Sequence, residues 1–455
     1  MKEMTLGEIC DAVNGRFLKP CDKNSKTEKL TTDTREIEKG SLFIPLKGDN
    51  FDGHDFIEQA FEKEALCCFS EIEIESNGII IIVEDTRKAF RMLAMYYLTL
   101  FNVKVVGITG SVGKTTTKDM IASVLEEKYK VLKTQGNFNN EIGLPKTIFN
   151  LKDDHEVAVL EMGMNSFGEI RRLSEIAKPD IAVITNVGVS HIENLGSREG
   201  ILQAKSEIFE YLKKDGVAVL NADNDMISTL RGKLNFKTFW FGIENKSDFY
   251  AENIVPMGLE GIKCTILCEG ERTDVTIPVP GEHMVLNALS AAAVGKSLNL
   301  NMEQIKRGIE NFAPTAMRMA VNKTDFGLTL INDAYNANPV SMKAAIDVLC
   351  TSQGRTVAIL GDMFELGDFA PSLHYEVGEY AAKSCIFLSI CIGEISSRIY
   401  DGIKENGGNA IYFKTQEEFL QSNLKEIFIS GDTVLIKASR GMHFEKTAEK
   451  LQEVK

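Results

Sequence analysis

The chain lacks a surplus of positive charge. Its 455 residues carry 51 Lys and Arg against 65 Asp and Glu, a formal net charge of −14. That balance excludes a general nucleic-acid or membrane-surface binder, so any phosphate site has to be local. No apolar run approaches the roughly 18 residues that span a bilayer. The N-terminus, Met1-Lys2-Glu3-Met4, lacks the charged and apolar regions of a signal peptide, and a cytoplasmic protein is expected. The nine cysteines include the adjacent pair Cys67-Cys68 but no Cys-x-x-Cys. They read as reduced, mostly buried thiols, with no zinc site expected. Repeats, low-complexity tracts and coiled-coil heptads are missing as well.

What is present is a hydrophobic content of 44%, enough for real cores. The length calls for two or three domains. Several apolar runs end in polar residues. Val157–Leu160 meets Glu161, Ile181–Thr185 meets Asn186, and Val217–Leu220 meets Asn221. Thr356–Leu360 meets Gly361-Asp362, and Val434–Ala438 meets Ser439-Arg440. Helical patterns lie between them, which is how parallel βα units read, with ligands beyond the carboxyl ends of the strands. An α/β chain in three parts is expected. Residues 1–84 hold short strands and turns. Residues 85–314 hold the nucleotide domain, β-rich over 236–280, and Pro314 leads into a second α/β domain, 315–455.

Residues 107–117 read Gly-Ile-Thr-Gly-Ser-Val-Gly-Lys-Thr-Thr-Thr. They follow a strand-like Val103–Val106 and open a helix-like run whose Met120, Ile121, Val124 and Leu125 recur at helical spacing. Strand, glycine loop, Lys-Thr and helix cradle nucleotide phosphates. Glycines let backbone N–H groups close on the oxyanions, and the helix N-terminus adds partial positive charge. Gly110, Ser111, Val112 and Gly113 would form the loop, with Thr116 after it. Lys114 would reach the β/γ-phosphates and Thr115 would take a place on Mg²⁺. In the common motif a glycine stands where this chain has Ile108, so the loop is a variant.

Other candidates are weaker on spacing alone. Glu161, in Leu-Glu-Met-Gly, could hold Mg²⁺ or be a solvated strand-end acid. His191 could be a ligand, or a core or surface residue. Lys205, in Gln-Ala-Lys-Ser, reads as an exposed helical lysine. Asn137, Asn139 and Asn140 suit turn chemistry, or donors and acceptors for a sugar or phosphate. Polar bursts at 331–339 and 360–367 follow strands in the last third and are candidate site loops.

Together these motifs resemble the Mur ligases along the whole chain. Thr32-Asp33-Thr34-Arg35, Gly40–Gly48 and Asn50–Ile57 are similar to that family's uridine-nucleotide domain. Gly361-Asp362-Met363-Phe364-Glu365-Leu366-Gly367 matches the branch that adds D-Ala-D-Ala, and the Asp-Asn-Pro-Arg of the diaminopimelate-adding branch is missing. The resemblance implies a three-domain architecture: a small N-terminal α/β domain, a central P-loop ATPase-like parallel sheet, and a C-terminal Rossmann-like domain. It implies ATP-dependent amide ligation in peptidoglycan precursor synthesis, through an acyl phosphate, with UDP-N-acetylmuramoyl-tripeptide and D-Ala-D-Ala as substrates. Two Mg²⁺ ions are implied, the first at Glu161 and the second at His191, organised by a carbamylated Lys205. Asn287 would meet adenine, while Arg318 and Asp333 would close on ATP. Asn336, Ser439 and Arg440 would lie near the amino substrate. Thr34, Arg35, Lys47, Asp52, Gly53 and His54 would serve the UDP end, since polar turns and a cation suit pyrophosphate and uracil. Ser206 departs from the glycine of many relatives. A monomer is expected. Another amino-acid-adding ligase of the superfamily, or a nucleotide-gated binding or regulatory protein, are the competing readings. The joint presence of Lys114, Glu161, His191 and Lys205 counts against the last.

Overall fold

The computed structural model describes residues 1–48, 51–245 and 247–454. Asn50, which opens one of the uridine-domain motifs, lies outside the described residues. Three larger sheets follow one another along the chain, each flanked by helices.

The first sheet has five strands in the order Arg16–Phe17, Ile79–Ile82, Cys67–Ser70, Leu42–Phe43, Leu30–Thr31. All pairs are parallel except the edge strand Arg16–Phe17. A small antiparallel pair, Met4–Thr5 with Lys26–Thr27, lies beside it. Helix Thr86–Thr99 then joins this part to the next. Asp85 caps its first turn by accepting from Lys88 N–H at 2.6 Å. Its buried Phe90 and Tyr97 pack on Phe149, with ring centroids 5.7 and 5.2 Å away, and one apolar cluster runs across both parts.

The second sheet has nine strands. Seven are parallel, from Val131–Lys133 through Val157–Glu161, Lys104–Thr109, Ile181–Ile184, Val217–Asn221 and Lys237–Gly242 to Phe249–Pro256. Ile262–Cys268 and Glu271–Ile277 continue it antiparallel. Central strands such as Val157–Glu161 are buried throughout, as strands covered by helices on both faces must be. Their carboxyl ends deliver Thr109, Glu161, Asn186 and Asn221 to one edge.

The third sheet has six strands, parallel except for its edge strand Ala320–Lys323. The chain reaches it through Pro314 and Thr315. Thr315 Oγ1 donates to Asp119 Oδ2 at 2.6 Å, which ties the crossing to the helix Lys114–Glu126. Asp119 is itself buried between Lys118 and Lys133, at 3.3 and 3.1 Å. All nine cysteines are free thiols and six are buried. No helix among the described residues is long and apolar enough to cross a membrane.

Candidate active site

The phosphate loop leaves strand Lys104–Thr109 and enters helix Lys114–Glu126. Gly113 caps that helix at φ 77°, a left-handed conformation natural to glycine. A Cβ on Gly110 would lie 1.9 Å from Thr185 Oγ1, so no side chain fits there. The first N–H groups of the helix, from Lys114, Thr115 and Thr116, have no acceptor within the helix, and these residues line a cavity, an arrangement that suits an anion. The amides of Ser111 and Val112 do not share that task. Both donate to Asn186 Oδ1, at 3.1 and 2.8 Å. Lys114 Nζ donates to the Gly110 carbonyl at 2.9 Å. Burial pulls its pKa down, and the Glu161 carboxylate opposes that shift.

Beside the loop lies a cavity of about 580 Å³. Glu161 lines it from the end of its strand and is buried. Its Oε1 accepts from Asn139 Nδ2 at 2.8 Å, and its Oε2 is buried without a partner. The asparagine loop shows the turn chemistry at Asn140, and Asn139 serves the acid. Asn140 Oδ1 accepts the Ile142 and Gly143 amides, while Asn139 holds the acid and Asn137 lines the cavity. Asn287 lines it too, and its Oδ1 accepts from Thr117 Oγ1 at 3.0 Å.

The third sheet closes the opposite wall. Arg318 Nη2 donates to Thr115 Oγ1 at 3.2 Å, and its guanidinium carbon stands 3.9 Å from the Tyr335 ring centre. Its Nε is buried and unpartnered. Asp333 Oδ1 accepts from the Met319 amide, and Oδ2 pairs with the buried Lys437. Lys437 also donates to the Asn336 carbonyl at 3.0 Å. A smaller recess of about 180 Å³ adjoins the cavity, lined in part by Lys114, His191, Asn336, Glu365, Ser439 and Arg440. There His191 Nδ1 lies 3.0 Å from Glu365 Oε2. That hydrogen bond holds the Glu365 carboxyl below its ordinary range. Ser439 Oγ accepts from the Phe364 amide, and Arg440 pairs with Glu445 at 3.1 Å.

Lys205 is not the exposed lysine that its residues alone suggest. It is 1% exposed, and burial together with the Lys114 charge pushes its pKa far down. It does not line the cavity surface. Gly110 likewise lies behind it, whereas Ser111, Val112, Gly113, Lys114, Thr115 and Thr116 face it.

The uridine-side candidates form a separate group. None of Thr34, Arg35, Lys47, Asp52, Gly53 and His54 lines the cavity. Arg35 is exposed and doubly bonded to Asp33, at 3.0 Å through Nε and 2.6 Å through Nη2. Asp52 accepts from the His54 amide and from His54 Nδ1, and His54 Nε2 accepts from the Glu71 amide at 3.1 Å. Both ring nitrogens are therefore occupied, one within the turn and one by the chain at Glu71. Gly53 is buried where a Cβ would meet Leu46 N and O at 2.7 Å. Lys47 Nζ lies 3.4 Å from Asp52 Oδ2, and the Thr34 carbonyl accepts from Lys63.

Asn186, Lys437 and Glu365 belong to the site and were not among the sequence candidates. Each had a signal. Asn186 ends the strand next to the loop, Lys437 is a charge within the apolar run 434–438, and Glu365 sits in a polar burst.

Comparisons with known proteins agree with this architecture. Residues 26–95 match the model "Mur ligase family, catalytic domain", 108–295 the "Mur ligase middle domain" and 317–440 the "Mur ligase, glutamate ligase domain". The chain is 40% identical to UDP-N-acetylmuramoyl-tripeptide–D-alanyl-D-alanine ligase of Bacillus subtilis, over 100% of this chain and 99% of that one. Among solved structures it is similar to MurF of Acinetobacter baumannii, with a TM-score of 0.94 and 32% identity over 100% of both chains. It is also similar to MurF of Thermotoga maritima in complex with ADP, with a TM-score of 0.84 and 29% identity, covering 93% of this chain and 97% of that one. Matched from residue 26 to residue 440 and alike end to end, the chain belongs to the Mur ligase family.

Proposed function

We infer that this chain is an ATP-dependent carbon–nitrogen ligase that joins D-alanyl-D-alanine to UDP-N-acetylmuramoyl-tripeptide, a step of peptidoglycan precursor synthesis. The observation that carries this reading is a single cavity in which the phosphate loop and Glu161 face Arg318, Asp333 and Asn336 of the third sheet. It occurs on a chain similar throughout to enzymes named for that reaction.

An unactivated carboxylate does not form an amide in water. In this site the tripeptide carboxylate attacks the γ-phosphoryl of ATP, and ADP leaves. Lys114 and the free amides of the helix N-terminus stabilise the charge that develops on the phosphoryl oxygens. The D-alanyl-D-alanine amine loses a proton to solvent and attacks the acyl carbon in its neutral form; collapse of the tetrahedral intermediate, with loss of a second N–H proton, gives amide and phosphate. Arg318, Lys437 and Arg440, brought in by the third sheet, help to cover the site and keep water from the acyl phosphate.

The residues fit magnesium. Glu161 Oε2 is a buried carboxylate oxygen with no partner, and Thr115 offers a hydroxyl nearby on the loop. No cluster of three or more His, Cys, Asp or Glu exists among the described residues. Mg²⁺ ordinarily takes one or two carboxylates and keeps waters and phosphate oxygens as its other ligands. Glu161 and Thr115 would hold the first ion, and His191 with carbamylated Lys205 would serve the second. Magnesium bound there offsets phosphate charge. Asn287 would meet adenine. Thr34, Arg35 and Lys47 would contact the UDP end, with Asp52, Gly53 and His54 shaping the turn. Divisions near residues 84 and 314, and a monomer, complete the proposal.

The test is phosphate release with ATP, UDP-N-acetylmuramoyl-tripeptide and D-Ala-D-Ala, each omitted in turn. Full turnover only with all three is expected, with ADP as the nucleotide product. AMP and pyrophosphate as products would reject the mechanism. Robust turnover with single L-amino acids would move the chain to another branch.

A further inference from the structure

Two cationic side chains and a histidine line the smaller recess. Lys114 and His191 line it from the central sheet and Arg440 from the third. One acid lines it among the described residues, Glu365. The cationic wall suits phosphate, yet the second substrate arrives as an ammonium ion. Lys114 and Arg440 in the wall of the recess disfavour that charge, and a carboxylate between them offsets the effect.

Glu365 is placed for this contact. It follows strand Thr356–Gly361 of the third sheet and reaches across to the central sheet. Only its Oε2 is engaged, by His191 Nδ1 at 3.0 Å, and its side chain is 61% exposed. Its backbone is held at φ 63°, a left-handed conformation that a glutamate adopts at a cost of about 1 kcal/mol or more. His191 across from it has φ 62°. Two side chains held in this way, one from each sheet, meet beside Lys114 in the recess. Strain of this kind persists where the surroundings over-determine it, and it collects at ligand sites.

We propose that Glu365 is a specificity-determining residue that receives the amino terminus of the incoming dipeptide and holds it beside the phosphate loop. This rests on the ligase reading given above. The contact is an ion pair with a charge-assisted hydrogen bond from the substrate N–H to the free carboxylate oxygen. It selects a substrate that presents an amine and positions that amine next to Lys114.

The experiment is steady-state kinetics of Glu365→Gln and Glu365→Asp against the wild-type enzyme. Inhibition by D-lactoyl-D-alanine, which carries a hydroxyl in place of the amine, is measured alongside. Glu365→Gln should raise KM for D-Ala-D-Ala about tenfold, equivalent to about 1.4 kcal/mol of binding. KM for ATP and for the UDP substrate should stay within about twofold, and so should the Ki of the hydroxyl analogue. Glu365→Asp should keep part of the preference for the amine. An unchanged ratio of KM for the amine to Ki for the hydroxyl analogue in Glu365→Gln would overturn the proposal. So would a fall in kcat alone, which would leave Glu365 as a latch for His191. The wild-type controls separate the two readings. If D-Ala-D-Ala is not a substrate of the wild-type enzyme, the ligase reading fails first. Thermal melting within a few degrees of wild type excludes misfolding, and Glu365→Asp gives the same test if Glu365→Gln does not fold.

Discussion

Val112 and Asn186 bind each other reciprocally. The Val112 amide donates to Asn186 Oδ1 at 2.8 Å, and Asn186 Nδ2 donates to the Val112 carbonyl at 3.0 Å. The same Oδ1 takes the Ser111 amide. One side chain thus fixes the front of the phosphate loop against the neighbouring strand. Asn186→Ala strands the Val112 amide, while the Ser111 amide keeps the Asn186 backbone carbonyl at 3.0 Å, and should cost about 1–3 kcal/mol in stability. KM for ATP should rise about tenfold. Calorimetry and ATP-dependent kinetics check this, and an unaltered KM would show that the loop holds its shape without the clamp.

Glu161→Gln separates binding chemistry from stability. The substitution removes a buried carboxylate with one unpartnered oxygen, so the melting temperature should hold or rise. Activity should fall by about 100-fold or more, about 2.7 kcal/mol of transition-state stabilisation. A stability loss that matches the activity loss would make Glu161 structural.

Lys205→Ala should lose far more activity than stability, by about 100-fold in kcat/KM. A buried amine with a depressed pKa supplies the neutral form that reacts with CO₂, and the product is an anion with two oxygen acceptors. A short carboxylic acid filling the gap should restore part of the rate. A high-resolution map of the fully active enzyme showing a bare Lys205 ammonium would rule carbamylation out.

Arg35→Ala should raise KM for the UDP substrate more than KM for ATP, because Arg35 is exposed on the first part and does not line the cavity. Equal effects on both constants would place the uridine site elsewhere.

Asp52 gives a pH signature. The His54 amide and ring hold its carboxyl down to about 2, against about 3.9 in an unfolded chain. A depressed acid stabilises the fold above its unfolded pKa, and the effect fades as pH falls through its folded one. Melting curves of wild type and Asp52→Asn should therefore differ most above about pH 4 and converge toward pH 2. A gap that stays constant over that range would mean that the carboxylate's charge contributes nothing.

Much of this site was legible in the sequence because its signals are local. Glycine spacing, a Lys-Thr pair and an acid at a strand end specify the loop and Glu161 within short windows. Asn186 was harder, since its partners Ser111 and Val112 lie 75 and 74 residues away. Lys205 left a clue that its residue type obscured. Ile201, Ala204 and Lys205 are the buried positions of helix Arg198–Ser206, and their spacing places the lysine on the apolar stripe. Lys437 lies in a strand buried on both faces, where alternation gives no guide to orientation. His54 had a residue type that suits a ligand and a fold that occupies both ring nitrogens.

The anchoring of Thr315 to Asp119 has a mechanical consequence. Asp119 lies five residues along the helix that Lys114 begins, about 7.5 Å of helical rise. The point at which the crossing into the third sheet is tied down therefore lies on the helix that carries Lys114. Arg318 stands three residues beyond that point, within about 11 Å of chain. The meeting of His191 with Glu365 has no covalent tether so near. One apolar cluster, with Met284 and Val285 of the central part and Met342, Ala345 and Val348 of the third, spans the same junction, so the two parts are joined by packing as well as by this hydrogen bond. A substitution at Thr315 would therefore be felt at Lys114 and Arg318 together.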